Sequence, residues 1–327
     1  MTVVQAAYID RPGPATAIRY GPLPAPRPGP TDVLVDVAAT TVNHVDTFVR
    51  SGAFRTPLPL PFVVGRDLIG TVADAGEGVT GFRAGDRVWC NSMGHGGRQG
   101  AAATRVVVPA DRLYPLPPGT PDEAVTVLHP AATAYLALVQ HGRLQPGETV
   151  VIGGGGGNVG AALITVAAAW GARVVTTAAP RDAAFCRAAG AEQVIDYSAP
   201  DLGDRLAAAC PEGIHLFLDT SGTNHLDLMV GLLTLRGRIV LIAGARSRPT
   251  LPAGDLYTMD RSIVGFVISH ATTAELAQAA GAMNRMLATG RFALRELVHL
   301  PLSAMAEAHR LVEAGEMRAR RVLVVPD

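Results

Sequence analysis

Residues 1 to about 118 carry short runs of β-branched side chains, which are separated by clusters of glycine and proline. Two of these runs, Val33–Val37 and Arg105–Pro109, have the length and composition of β-strands. The segment Pro22–Pro30 is too rich in proline for a helix interior or a central strand, because proline has no N–H to donate. We therefore predict a β-rich N-terminal part in which this segment is a surface connection or a sheet edge.

The pattern changes near Asp122, where strand-like apolar runs begin to alternate with helix-like segments. Predicted strands cover 149–152, 173–177, 193–196, 215–219, 238–243 and 263–268. Predicted helices cover 158–170, 180–189, 202–210 and 225–235. The strand-like runs are continuously apolar, which is typical of strands covered on both faces. The repeated βαβ order predicts a doubly wound parallel sheet, and hence an α/β fold.

After residue 270 the pattern is mixed again. We predict helices over 274–289 and 303–314, the second capped by Ser303, and strands over 296–300 and 321–325.

Composition narrows the range of functions. Basic and acidic residues balance, 28 against 28, so no net field favours nucleic acid or an anionic membrane. Lysine is absent, which excludes chemistry that needs a lysine Schiff base. Three scattered cysteines and the absence of a signal-peptide pattern predict a cytoplasmic protein. The apolar run Ala161–Trp170 is too short to span a bilayer, which needs about 20 residues.

The strongest motif lies between the first strand and first helix of the α/β region. Gly155, Gly157 and Gly160 satisfy G-x-G-x-x-G, with Asn158 and Val159 between the last two. In such a loop the first glycine permits a tight turn, the second admits a pyrophosphate, and the third allows close helix packing. Because the motif follows a strand and opens a helix, it predicts a dinucleotide site, the alternative being a glycine-rich turn without a ligand.

The end of the next strand bears on which dinucleotide is bound. An NAD site places an acidic residue there to bind the ribose hydroxyls, whereas this chain has Thr177 and Ala178. Arg181 follows within reach of a 2′-phosphate, and Asp182 is assigned to the next helix. We therefore predict NADP(H), and the alternative is a solvent-exposed Arg181 at the start of a helix.

Several motifs, spaced along nearly the whole chain, resemble one family. They are VNHVDTFVRSG at 42–52, PFVVGRDLIGTV at 61–72, GDRV at 85–88, VVVPADRLYPLP at 106–117, AATAYLAL at 131–138 and AHRLVEAG at 308–315. In this order they resemble the zinc-free, zeta-crystallin-like quinone oxidoreductases of the medium-chain dehydrogenase/reductase superfamily.

The resemblance implies two domains and a dimer. A GroES-like catalytic domain would comprise residues 1–121 and 269–327, and a Rossmann NADP(H)-binding domain residues 122–268. The active site is expected where the domains meet, with loop 54–62 lining its substrate pocket. A homodimer is expected through the edge strand at 263–268.

The resemblance also bears on whether the chain binds a metal ion. Zinc-dependent relatives have a cysteine and a histidine where this chain has Asn43 and Arg66, neither of which is an ordinary zinc ligand. His44, His95, His129 and His270 have no ligand partner at standard spacing. We therefore predict that no metal is bound, and that the substrate is an activated acceptor, a quinone or an α,β-unsaturated carbonyl.

By the same resemblance, individual residues acquire expected roles. Asn43 is expected to donate a hydrogen bond to the developing oxyanion, unless it is only a turn residue. Thr133 is expected to contact the nicotinamide, and Asp46 to form a structural pair with Arg50. The other expected cofactor contacts lie at or near strand ends: Tyr197, Ser221, Gly244, Phe266 and Ile268.

One departure from the family concerns the proton that completes the reduction. Relatives commonly have tyrosines where this chain has Phe48 and Phe54. Either another group supplies the proton, with His44 and His129 as candidates, or the substrate is larger and more apolar; each histidine also has a purely structural interpretation. Two further hypotheses are an NADPH-binding protein with little turnover and a redox-neutral isomerase or cyclase.

Overall fold

The computed structural model describes residues 3–327, and the first two residues of the predicted N-terminal domain lie outside them. The N-terminal half of the chain forms strands β1 Val3–Ile9, β2 Arg19–Pro24, β3 Asp32–Thr40, β4 Phe62–Val63, β5 Leu68–Ala75, β6 Arg87–Cys90, β7 Arg105–Pro109 and β8 Tyr114–Pro115. Helix α1, His44–Ser51, lies between β3 and β4, and helix α2, Val125–Tyr135, follows β8. The predicted strands over 33–37 and 105–109 are therefore present.

The α/β region follows a π-helical turn at Leu136–His141. Its strands are β9 Thr149–Gly153, β10 Arg173–Ala178, β11 Gln193–Asp196, β12 Ile214–Asp219, β13 Leu233–Leu241 and β14 Ser262–Gly265. Its helices are α3 Asn158–Ala169, α4 Ala183–Ala188, α5 Leu202–Ala209, α6 Leu226–Gly231 and α7 Ala253–Tyr257. Beyond it lie α8 Thr273–Ala288, β15 Glu296–Pro301, α9 Met305–Glu313 and β16 Arg320–Val325.

The chain divides into two compact units. The first contains the described residues up to His129 together with Thr272–Gly290 and Leu294–Asp327, and the second contains Pro130–Ala271 and Arg291–Ala293. The division places both ends of the chain in one unit and the whole α/β region in the other.

The first unit is built mainly on antiparallel pairing, and β15 and β16 form a parallel pair within it. Within residues 3–327, its larger sheet has the order β15-β16-β3-β5-β6-β8, with β7 also paired to β3, and its smaller sheet has the order β2-β1-β4. The start of the proline-rich segment, Pro22–Pro24, belongs to β2 at the edge of the smaller sheet, in agreement with the predicted edge. The alternation of β7, with Val106 and Val108 buried, shows how one face covers a core.

The second unit contains a parallel sheet. Its strand order within the described chain is β11-β10-β9-β12-β13-β14, and every strand pair is parallel. This is the doubly wound order in which the first strand, β9, stands at the point where the winding reverses. All five residues of β9 are buried, because helices cover both faces of the sheet. The carboxyl ends of the strands therefore meet at one edge.

Some predicted elements differ from the structure. The helix predicted over 225–235 ends at Gly231, and Leu233–Leu241 is one strand with a register irregularity against β12. The strand predicted over 263–268 ends at Gly265, and Ile268 begins a 3₁₀ turn. Ser303 lies inside a 3₁₀ turn, Leu302–Ala304, and its Oγ donates to the Asp327 carboxylate, so it does not cap a helix. None of the helices within 3–327 is long and apolar enough to cross a membrane.

Candidate functional site

The glycine loop joins the end of β9 to the start of α3. A Cβ added at Gly155 would lie 2.2 Å from Thr176 Oγ1, and one at Gly160 would lie 2.2 Å from the Gly154 carbonyl oxygen. The left-handed turn falls on Gly154, with φ of 79°, so the predicted turn role of Gly155 belongs to its neighbour. Close packing thus leaves no room for a side chain at Gly155 or Gly160.

Gly157 differs from the other two motif glycines. A Cβ at this position would meet one atom within 4 Å, the Gly154 carbonyl oxygen at 3.2 Å, and its φ of −73° suits any residue. Gly157 precedes Asn158 and Val159, the first residues of α3, where helical N–H groups are available to an anion. The space beside this position, at the N-terminus of a helix, fits a pyrophosphate.

The other predicted cofactor contacts lie along the same edge of the sheet, at or just beyond the carboxyl ends of five strands. They are Thr177 and Ala178 at the end of β10, Arg181 in the 3₁₀ turn Pro180–Asp182, Tyr197 after β11, Ser221 after β12, Gly244 after β13, and Phe266 and Ile268 after β14. In an open parallel sheet this is the edge at which ligands bind.

Two of these loops are in close contact with each other. A Cβ at Gly222 would lie 2.7 Å from the Gly244 nitrogen, and Asn224 Nδ2 donates to the Ala243 carbonyl at 3.0 Å. Ser221 Oγ donates to the Asp219 carboxylate at 2.9 Å. Packing and hydrogen bonds therefore hold Ser221 and Gly244 in fixed positions beside the glycine loop.

Arg181 and Asp182 differ in their exposure to solvent. The Arg181 side chain is 58% exposed, and its Nε lies 3.9 Å from the Asp182 carboxylate, which is a loose ion pair. Asp182 is buried against the glycine loop, where a Cβ on Gly156 would lie 2.7 Å from its Oδ2. The guanidinium is thus accessible to an anion, and the carboxylate is packed inward.

In the first unit, a buried polar cluster surrounds the N-terminus of α1. Asn43, the residue before α1, donates from Nδ2 to Asp67 Oδ2 at 2.7 Å, and its backbone N–H donates to Asp46 Oδ2 at 2.7 Å. Arg66 Nε donates to Asp46 Oδ1 at 3.2 Å. Burial raises the pKa of Asp46, and burial together with the Asp46 charge raises the pKa of Asp67 further. The cluster thus contains one charged pair and a carboxyl group that favours its neutral form.

The predicted pair between Asp46 and Arg50 is wrong. Asp46 pairs with Arg66, whereas Arg50 donates to the Gly13 carbonyl at 2.6 Å and to Glu313 on α9 at 2.8 Å. Both side chains lie on α1 and are buried, but they face different neighbours. Sequence reasoning also does not single out Asp67, although this residue is the acid of the segment 61–72 and accepts from Asn43.

These residues do not fit a zinc ion. Arg66 is a buried cation that pairs with Asp46, and the Asn43 amide nitrogen is directed at Asp67. Within the described part of the chain, no group of three or more histidine, cysteine, aspartate or glutamate side chains is arranged to hold a metal.

The remaining predicted residues lie on or near α1 and α2. Thr133 is a buried residue of α2. His129, also on α2, is buried. Burial, and to a smaller extent the positive charge of Arg66, lowers the pKa of His129 to about 3, so this side chain is neutral at physiological pH. His44 and Phe48 lie on α1 with exposed side chains, and Phe54 packs at the edge of the core with its ring 5.8 Å from that of His95.

Comparisons with known proteins agree with this architecture. Residues 29–118 match the model of the alcohol dehydrogenase GroES-like domain, and residues 158–285 match that of the zinc-binding dehydrogenase family. The predicted fold class, a GroES-like domain with a Rossmann-type parallel-sheet domain, is confirmed.

Individual relatives match over nearly the full chain. Quinone oxidoreductase of Sus scrofa is 30% identical over 302 residues, covering 91% of this chain and 90% of the relative. The Mus musculus quinone oxidoreductase is 28% identical over 318 residues, covering 96% and 95%. A mycobacterial protein solved in complex with NADPH has a TM-score of 0.84 at 27% identity, covering 99% of this chain and 100% of that one. The chain belongs to the quinone oxidoreductase family of the medium-chain dehydrogenase/reductase superfamily.

Proposed function

We propose that this oxidoreductase transfers hydride from NADPH to a quinone or an α,β-unsaturated carbonyl, without zinc. The observation that carries the proposal is the glycine loop, with space beside Gly157, next to an accessible Arg181 at the same sheet edge. When bound, the reduced nicotinamide supplies the hydride, and the protein orients it. The names of the relatives support a quinone acceptor.

The choice of NADPH over NADH rests on the end of β10. Thr177 and Ala178 provide no carboxylate for the ribose hydroxyls, and the Asp182 carboxylate is packed against Gly156. The exposed guanidinium of Arg181 can grip a 2′-phosphate with paired N–H donors. The mycobacterial structure with NADPH supports this choice.

Replacing Arg181 with alanine is expected to raise the Kd of NADPH about 10- to 100-fold, because charge-assisted hydrogen bonds to the 2′-phosphate are lost. The Kd of NADH should change less than about twofold, since it has no 2′-phosphate. Fluorescence titration measures both constants. Arg187→Ala, which removes an exposed arginine of α4, is the control and should leave both unchanged. Equal effects of Arg181→Ala on the two cofactors would rule out the phosphate contact.

The side chains at the positions where zinc-dependent relatives bind zinc indicate which class of substrate accepts the hydride. Because Asn43 and Arg66 do not fit a zinc ion that could polarise a carbonyl, an acceptor that already carries a conjugated system is the natural substrate. The proton that completes the reduction comes from solvent or from a neutral donor, because His129 with a pKa of about 3 carries no charge at pH 7. Neutral imidazole can still donate one hydrogen bond to the developing oxygen.

The hydrogen bonds of Asn43 favour a role other than the expected donation to the developing oxyanion. Its amide nitrogen donates to Asp67 at 2.7 Å and lies 3.5 Å from Asp46, so both hydrogens are directed at carboxyl groups. We propose that Asn43 acts by fixing Asp67 and the start of α1, and that Thr133 contacts the nicotinamide.

We also propose a homodimer, formed by pairing of the edge strand β14. The exposed apolar side chains Leu235, Tyr257 and Met259 support such an interface, and the Arg236 N–H joins two of these segments by donating to the Met259 carbonyl.

A further inference from the structure

The segment between Phe54 and β4 is unusually poor in backbone donors. Its sequence from Thr56 to Pro61 is TPLPLP, in which Pro57, Pro59 and Pro61 have no N–H. Such a segment cannot form an ordinary two-sided β-ladder, yet its carbonyl groups still need hydrogen-bond donors. The segment can therefore be held mainly through its carbonyl groups and side chains, by donors from elsewhere in the chain or from solvent.

The side chain of Gln99 supplies these donors. Its Nε2 donates to the carbonyls of Pro59 and Pro61, both at 2.9 Å. Its Oε1 accepts a hydrogen bond from the backbone N–H of Val63, the second residue of β4, at 2.7 Å. One side-chain amide therefore makes three bonds to alternate residues of the segment, as a neighbouring strand would.

The loop that contains Gln99 makes further contacts with the same segment. The Gly96 N–H donates to Thr56 Oγ1 at 2.9 Å, and the Gly97 N–H donates to the Pro57 carbonyl at 3.2 Å. Both glycines have left-handed backbones, with φ of 60° and 82°, which side chains rarely adopt. The glycines thus let the loop turn tightly enough to bring Gln99 to the proline segment.

We infer that Gln99 is a positioning residue, which fixes segment 54–62 and thereby sets the affinity for the acceptor. The inference rests on the proposed function and on the expectation, drawn from the family resemblance, that this segment lines the substrate pocket. Leu60, 54% exposed, and Phe48, 50% exposed, offer apolar surface on this part of the unit, and Phe54 is anchored at the base of the segment. Gln99 touches no reacting atom in this account. Exposed apolar side chains on the segment it holds would suit an acceptor with apolar substituents.

The test uses two substitutions of Gln99 that remove different bonds. Gln99→Glu keeps an oxygen for the Val63 N–H but loses both donations to proline carbonyls, whereas Gln99→Met loses all three bonds at similar size. Amide hydrogen exchange at Gly97 should accelerate about 10-fold in both variants, and exchange at Val63 only in Gln99→Met. The acceptor KM should rise about 10-fold in both, with kcat and the NADPH Kd changed less than about twofold.

Gln193→Ala is the control, since Gln193 is exposed on β11, and it should change none of these quantities. Faster exchange with an unchanged KM would overturn the positioning role and leave the proposed function intact. Unchanged exchange would show that Gln99 does not hold the segment and would also overturn the inference. A wild-type protein that binds NADPH but reduces no quinone or enone would contradict the proposed function, before any variant is compared, and the inference would fall with it.

Discussion

Replacing Gly157 with alanine is expected to raise the Kd of NADPH about 100-fold while leaving the unliganded fold intact. The added methyl group would meet only the Gly154 carbonyl oxygen, at 3.2 Å, and the backbone φ of −73° is unstrained. The space it takes is the space proposed for the pyrophosphate. Thermal unfolding without cofactor should shift by less than about 3 °C, and a fluorescence titration measures the Kd.

The other glycines sharpen this prediction. Gly160→Ala would place a methyl group 2.2 Å from the Gly154 carbonyl oxygen, so the protein itself should lose stability. Gly281→Ala on α8 meets no atom closer than 4.0 Å, and it should stabilise slightly without affecting NADPH. If Gly157→Ala bound NADPH like the wild type, the pyrophosphate would not lie at this loop.

Replacing Arg66 with methionine is expected to destabilise the protein by about 3–5 kcal/mol at pH 8, because it leaves Asp46 buried without its cation. Both side chains are almost completely buried, with exposed fractions of 2% and 3%, so solvent cannot take over the role of the guanidinium. Chemical denaturation of the wild type and the variant across pH measures the loss.

The pH dependence has a definite sign. Burial already raises the pKa of Asp46 above its ordinary value, and loss of Arg66 removes a group that lowers it. The folded variant therefore binds a proton more tightly than the unfolded chain, so its stability rises as the pH falls through the folded pKa. The deficit should shrink between pH 8 and pH 5.

A surface pair provides the matched control. Arg83 and Asp86 lie 3.7 Å apart with Arg83 91% exposed, so Arg83→Met should cost less than about 1 kcal/mol at any pH. Asp46→Asn combined with Arg66→Met should recover part of the loss, since no buried charge remains unpaired. Equal losses for the two methionine variants, independent of pH, would contradict the buried-pair account.

Local signals in the sequence predict much of the secondary structure of the α/β unit. Strands β9 and β10 and helix α3 lie within one residue of prediction, because continuous apolar runs and the glycine motif mark their ends. The predicted helix over 225–235 is too long because Leu233 suits either a helix or a strand, and its pairing with Ile214 of β12 decides for a strand. Propensity alone cannot settle such a choice.

Long-range contacts account for what sequence reasoning missed in the first unit. Asp46 and Arg50 stand four residues apart on α1, a spacing that suits an ion pair. Their partners are instead Arg66, 20 residues along the chain, and Glu313, 263 residues away. Gln99 likewise serves a segment some 40 residues earlier, and no local pattern in the glycine-rich loop shows what its amide will bind.

The measurement that tests the central claim most directly is the loss of NADPH absorbance at 340 nm by metal-stripped protein. One simple quinone and one cyclic enone serve as acceptors, with NADH compared in parallel. We expect oxidation of NADPH with at least one acceptor, much slower oxidation of NADH, and no loss of rate in the presence of a chelator. Tight NADPH binding without oxidation by either acceptor would contradict this expectation, and would favour a binding protein or a redox-neutral enzyme on the same scaffold.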